Sequence, residues 1–287
     1  MQDCTDGVLS HFREVADRYD IVLCDVWGVV HNGVAAWKEA CEALQEFRTG
    51  GGRVALITNA PRPSAAVEAQ LRALNVPDDV SDAIATSGDV TRDIIKAHGG
   101  KGIYHLGPKR DLGVFEGIRS EFSTLEEATL VVNTGLFDDE VETPADYEER
   151  LQALAARSVE MVCANPDIVV ERGDTLLYCA GALAQRYEEI GGRVVWAGKP
   201  YPPIYEKALE RLGLKAGEID PSKVLAIGDS ARTDVAGAIG LGYDALFVAS
   251  GIHATETVRE GIVDAEGLMR LFEGSSHPTQ VMSRLRW

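Results

Sequence analysis

Cysteine is sparse in this chain of 287 residues. The five present, Cys4, Cys24, Cys41, Cys163 and Cys179, are odd in number, and none are spaced as C-x-x-C. That excludes a disulfide framework and a cysteine-built zinc cluster, and it points to a reducing compartment. Long apolar runs are also missing. None approaches the roughly 18 residues of a membrane span. The first residues, with Asp3 and Asp6, lack the basic start and apolar middle of a signal peptide. The expectation is a cytoplasmic protein with no membrane partner. Basic residues are outnumbered, 28 against 45 acidic, for a net charge of −17. Nucleic acid would be repelled by such a surface and is not expected as a partner. A small anionic substrate stays open where local cations and a metal reverse the sign inside a pocket. Internal repeats and low-complexity segments are absent.

Apolar residues make up 45% of the chain, enough for a sizeable core. Short apolar runs alternate with amphipathic helical stretches, which predicts an α/β fold with a parallel sheet. Four of these runs end in polar chemistry. Ile21-Val22-Leu23-Cys24 leads into Asp25, and Val54-Ala55-Leu56-Ile57 into Thr58-Asn59. Val194-Val195-Trp196-Ala197 leads into Gly198-Lys199-Pro200, and Val224-Leu225-Ala226-Ile227 into Gly228-Asp229, with Asp234 five residues on. Strand ends of this kind present side chains to a crevice. Ala40, Cys41, Leu44 and Phe47 share one helical face before Gly50-Gly51-Gly52, and Ile204, Ala208 and Leu212 do the same before Gly213. Between the second and third strand ends lies another alternating block, with strands around Ile103–Leu106, Leu130–Val132 and Met161–Cys163 and a helix opened by Thr143-Pro144. The economical arrangement is a domain inserted into another: 1–89 and 191–287 as the core, 90–190 as the insert. Glu273 to Pro278 reads as loop.

Each strand end has a chemical and a plain reading. Asp25 can attack phosphorus or bind a metal; a cap or a buried ion pair would use the same residue. Thr58 and Asn59 offer a hydroxyl and an amide beside backbone N–H groups, suited to phosphoryl oxygens or to a simple helix cap. Lys199 can neutralise a carboxylate and a phosphate brought together, which otherwise repel. Asp229 and Asp234 flank a strand–loop–helix junction. One can ligate magnesium directly while the other orients waters or backbone around it.

Jointly the four elements resemble the haloacid dehalogenase (HAD) superfamily. Their order, with the long insert between the second and third, resembles its class IIA phosphatases, the p-nitrophenylphosphatase-like and sugar-phosphatase-like group. Thr86-Ser87-Gly88-Asp89, Ala164-Asn165-Pro166-Asp167 and Gly198-Lys199-Pro200 fit that group's remaining segments. The likeness covers roughly residues 18 to 255. It implies a Rossmann-like parallel-sheet core with an inserted α/β cap of the C2 type. It further implies Mg2+-dependent hydrolysis of a small phosphorylated metabolite, a sugar phosphate or similar, through an aspartyl-phosphate on Asp25. Thr58 would bind the phosphoryl group and Lys199 would bridge it to Asp25. Magnesium would be held by Asp25, Asp229 and the backbone carbonyl of Trp27, with Asp234 in support. Asn59, Asn165 and Asp167 are candidate substrate contacts; Asn-Pro-Asp is equally good turn chemistry. Cap-mediated homodimers occur in the resembling group.

The pattern breaks at Trp27. The resembling phosphatases carry a second aspartate there, which protonates the leaving group and then activates water. General acid–base help is worth about 10²–10⁴ in rate, or roughly 3–5 kcal/mol. Three readings follow. The protein is a phosphatase that is slow or served by another acid, His31 being the nearest titratable group. Or it binds phosphate and magnesium with little turnover. Or it is a dehalogenase-like hydrolase, although such enzymes use no magnesium and lack the paired acids present here as Asp229 and Asp234.

Overall fold

The computed structural model describes residues 7–172 and 175–287. Cys4 and the acidic Asp3 and Asp6 lie outside the described residues. Three strands open the chain: β1 (Ile21–Asp25), β2 (Arg53–Thr58) and β3 (Ala83–Thr86). Six follow: β4 (Ile103–Leu106), β5 (Leu130–Asn133), β6 (Glu160–Cys163), β7 (Val169–Arg172), β8 (Thr175–Tyr178) and β9 (Arg193–Trp196). The last are β10 (Val224–Gly228), β11 (Asp244–Val248), β12 (Val258–Arg259), β13 (Ile262–Val263) and β14 (Gln280–Met282).

The chain divides into two compact units. One comprises the residues up to Thr58, Glu68–Ala85 and Tyr205–Trp287; the other comprises Asn59–Val67 and Thr86–Ile204. Against the boundaries expected at 90 and 190, the second unit also takes in 59–67, 86–89 and 191–204.

The first unit is built on a six-stranded sheet in the order β14-β11-β10-β1-β2-β3. β1 pairs in parallel with β2 and with β10, and β10 with β11. All five residues of β1 and of β10 are buried. Central strands of a parallel sheet are covered on both faces, so they read as unbroken apolar runs. Helix α1 (Lys38–Thr49) buries Ala40, Cys41, Ala43, Leu44 and Phe47, the face its sequence pattern predicts. It ends at Gly50-Gly51-Gly52, where a side chain at 52 would overlap the Phe47 ring. Among the described residues no helix is long and apolar enough to cross a membrane.

The second unit has its own parallel sheet, in the order β4-β5-β6-β9, and an antiparallel hairpin of β7 and β8. Helices α2 (Ser64–Ala73) and α3 (Ser87–His98) precede this sheet in the chain. Helices α4 (Glu148–Ala156) and α5 (Ala180–Glu189) bury Leu151, Leu154, Leu183 and Tyr187 in one core with Val131 and Met161. Thr143 forms the capping box that the Thr-Pro pair suggests. One strand departs from expectation. The run Val194–Trp196, placed with the core by the boundary expected at 191, is β9, paired with β6. A four-residue apolar run carries no information about which sheet it joins. Helix α6 (Pro202–Arg211) follows, with Gly213 past its end at φ +72°.

Candidate active site

Two of the expected strand ends meet where the sheet changes direction. β1 leads to β2 on one side, and β10 leads to β11 on the other. Crevices for ligands form at the carboxyl ends of strands at such a point. Asp25 is the last residue of β1, and Asp229 follows the last residue of β10. Asp25 is in register with Ile57, so Thr58 stands one residue further along β2. Asp25, Asp229 and Asp234 are all buried, and each offers a carboxylate oxygen within 4.8 Å of the others'.

The backbone holds these acids in place. Ser230 caps a short π-helical turn, Ala231–Val235, and its N–H donates to Asp234 Oδ2 at 3.0 Å. The N–H of Ile252 donates to Asp229 Oδ2 at 2.8 Å. Three glycines are required by close approach, Gly251 among them, where a side chain would overlap Asp229. Gly28 sits at φ +83°, and any side chain there would overlap the Asp229 carboxylate; one at Gly228 would overlap that of Asp234. Gly251 and Ile252 escape the sequence reading as site residues, although Ser250-Gly251 directly after the β11 run was the available signal.

Three buried carboxylates repel one another unless a cation offsets them. Their hard oxygen donors suit a divalent ion. One oxygen from each of the three lies within 4.8 Å of the other two, close enough for a single ion to reach more than one of them. The residues therefore fit the expected metal. Gly28→Ala tests the cradle. The added methyl should displace the Asp229 carboxylate, weaken Mg2+ binding by an order of magnitude or more in a calorimetric titration, and cost about 1–3 kcal/mol of stability.

Trp27 is half-buried on the turn after β1. Its ring meets the His31 ring edge-on, with centroids 5.2 Å apart. A side chain at Gly33 would run into the far edge of the indole. His31 is buried, not the solvent-facing turn residue that His-Asn-Gly suggests. Its Nδ1 accepts the N–H of Gly33 at 2.9 Å, and burial lowers its pKa to about 4. At neutral pH this favours the uncharged ring, whose remaining N–H is a far weaker acid than an imidazolium. Burial thus disfavours the protonated form that a substitute acid would need.

In the second unit, Asn59, Asp167 and Lys199 form one hydrogen-bonded group. Asn59 Oδ1 accepts the Lys199 N–H at 2.7 Å; its Nδ2 donates to the Lys199 carbonyl at 3.2 Å and to Asp167 Oδ1 at 2.9 Å. Asn165 Oδ1 accepts the Asp167 N–H at 3.1 Å, the side-chain turn expected of Asn-Pro-Asp. The Asp167 carbonyl accepts the N–H of Gly181 at the start of α5. Asn59 thus uses its amide within the unit, and Asn165 Oδ1 closes the turn that Asn-Pro-Asp suggests as readily as a substrate contact. Lys199 is buried. Thr58 belongs to the first unit and Asn59 to the second, so the expected Thr-Asn pair straddles their boundary.

A parallel α/β core with an acid cluster at its switch point, and a second α/β unit inserted in its chain, defines an enzyme of the phosphoryl-handling α/β type. The family described as haloacid dehalogenase-like hydrolase matches residues 22–119, and the one described as HAD-hyrolase-like matches 196–270. A haloacid dehalogenase-like hydrolase from Brucella suis is 44% identical, with a TM-score of 0.84 over 97% of this chain and 100% of that one. A 5'-nucleotidase of Bacillus subtilis is 27% identical over 86% of this chain and 91% of its own length. An acid sugar phosphatase of Staphylococcus aureus is 27% identical over 84% and 91%. The chain belongs to the haloacid dehalogenase-like hydrolase family.

Proposed function

We propose that the protein is a Mg2+-dependent phosphatase of a small phosphorylated metabolite, a sugar phosphate or similar, working through an aspartyl-phosphate on Asp25. The observation that carries this reading is the buried triad of Asp25, Asp229 and Asp234 at the switch point. The names of the nucleotidase and sugar phosphatase relatives support it.

Asp25 and Asp229, with the carbonyl of Trp27, would hold the metal, and Asp234 would support them. Bound there, Mg2+ supplies a positive charge that offsets the negative charge of the phosphoryl group and the attacking carboxylate. Asp25 attacks phosphorus, forming the acyl-phosphate bond as the bond to the leaving oxygen breaks. Thr58 and adjacent N–H groups bind the phosphoryl oxygens. Lys199 places an ammonium between two anions that otherwise repel. Water then attacks the phosphorus of the aspartyl-phosphate, releasing inorganic phosphate and restoring Asp25. With Trp27 and a neutral His31 beside the nucleophile, the leaving oxygen takes its proton from solvent. Substrates whose leaving anions are stable lose least by this.

Release of 4-nitrophenol from 4-nitrophenyl phosphate is the direct test. Activity should fall at least about 100-fold with EDTA and return with added Mg2+. Tight binding of phosphate without release would overturn turnover in favour of a binding protein. Halide release from a haloacid without metal would overturn the phosphatase reading.

A further inference from the structure

The Asn59 side chain has no role in the chemistry just described, yet both its oxygen and its nitrogen are bonded inside the second unit. A carboxamide has one acceptor oxygen and two N–H donors. Asn59 is 4% exposed, and all of these functions are used inside the protein. Its oxygen takes the Lys199 N–H; its nitrogen serves the Lys199 carbonyl and the Asp167 carboxylate. One side chain therefore grips both main-chain polar groups of a single distant residue. A second observation agrees. Gly198 lies so close that a side chain there would overlap Asn59 Oδ1 and the Pro166 ring. Glycine before Lys199 is thus explained by the approach of the Asn59 amide.

We infer that Asn59 is a positioning residue: its side chain clamps the main chain of Lys199, braced by Asp167, and so fixes the point from which the lysine side chain starts. The long, flexible lysine stem makes this necessary. Its rotamer freedom must be restricted for the ammonium to hold one position, and a misplacement of about 1 Å at a reacting centre can cost about 10²-fold in rate. Asn59 is also peptide-bonded to Thr58, so the same short segment carries a phosphoryl-binding hydroxyl and the lysine's anchor. A ligand role for the Asn59 amide would require it to give up these bonds. The chemistry chosen at this position has a specific requirement. Aspartate keeps the acceptor for the Lys199 N–H but turns lone pairs toward the Asp167 carboxylate. Alanine removes every bond.

This inference rests on the phosphatase reading for its kinetic consequence, but the clamp itself can be measured without turnover. In the full-length protein, the Lys199 amide should be protected from hydrogen exchange and should exchange at least about tenfold faster in Asn59→Ala. With 4-nitrophenyl phosphate and Mg2+, Asn59→Ala should lower kcat by about 10² while KM moves less than about fivefold. In a Lys199→Ala background the same change should cost less than about twofold, because residues acting as a unit are not additive. Asn59→Asp should lose activity, and adding Asp167→Asn should restore part of it by reversing donor and acceptor in the pair. That double variant serves where Asn59→Ala does not fold. Unchanged exchange at Lys199 would overturn the clamp. A full 10² loss in the Lys199→Ala background would overturn action through the lysine. Wild type that binds phosphate but releases none would instead overturn the phosphatase reading, with the exchange measurement still deciding the clamp.

Discussion

Asp25→Asn is expected to stop phosphate release, with kcat falling by about 10⁴ or more. The amide has nearly the shape of the carboxylate, but its lone pairs are too weakly basic to attack phosphorus. A second effect should accompany the loss. Asp25, Asp229 and Asp234 are buried with oxygens within 4.8 Å of one another. At 4.8 Å or less each like-charged pair costs at least about 3 kcal/mol at an effective dielectric constant of about 20. Removing one charge relieves two such pairs. The metal-free variant should therefore melt at or above the wild-type temperature while Mg2+ raises its stability less. Activity and metal-free stability moving in opposite directions is the signature of a site held together against its own charge. If the variant kept a tenth of wild-type turnover, Asp25 would not be the nucleophile. If metal-free stability fell instead, Asp25 would be a structural residue of the sheet end.

The elements of this site were legible in the sequence to different degrees. Strands β1 and β10 were clear because parallel strands buried on both faces leave runs without polar interruption, and an acid at such an end stands out. Asp229 and Asp234 were readable for the same reason. The helix faces of α1 and α6 followed from spacing and from the glycines that stop them. The partner of β9 was not readable, because four apolar residues pair as well with one parallel sheet as with another. Strand β14 and the β7–β8 hairpin are short, and each lies beyond a stretch dominated by turn residues. The bonds of Asn59 were also hidden. They link residues about 140 positions apart in the chain, and an Asn beside a Thr looks the same whether it faces a phosphate or a lysine backbone. The burial of His31 was missed because His-Asn-Gly is polar turn chemistry, while its surroundings are set by the Trp27 ring, which packs across the turn. The glycines record close contacts well, but only coordinates say with what. Gly28 and Gly228 press on carboxylates, and Gly198 presses on an amide.

Trp27→Asp should raise turnover of alkyl phosphates by about 10²–10³ and that of 4-nitrophenyl phosphate by less than tenfold. The argument is one of proton supply. An alkoxide leaving group is strongly basic and needs a proton as the bond to phosphorus breaks; 4-nitrophenolate does not. In the wild type the residue two past the nucleophile is an indole, and the titratable group behind it is held neutral by burial, with a pKa of about 4. Neither is a good proton donor at neutral pH. A carboxyl at position 27 could give one, then take one from the water that attacks the aspartyl-phosphate. The ratio of kcat/KM for the two substrates isolates this effect from any change in binding or metal affinity, which would shift both together. The substitution also removes a half-buried ring that packs against His31 and the Gly33 backbone. A loss of about 2 kcal/mol is expected from that packing, read as a lower melting temperature. Destabilisation with an unchanged substrate ratio would mean that Trp27 is only a packing residue and that proton transfer does not limit the wild type. A ratio that narrows by two orders of magnitude, despite the lower stability, would show that this chain keeps the means to hold and attack a phosphoryl group while lacking the means to discharge a basic leaving group.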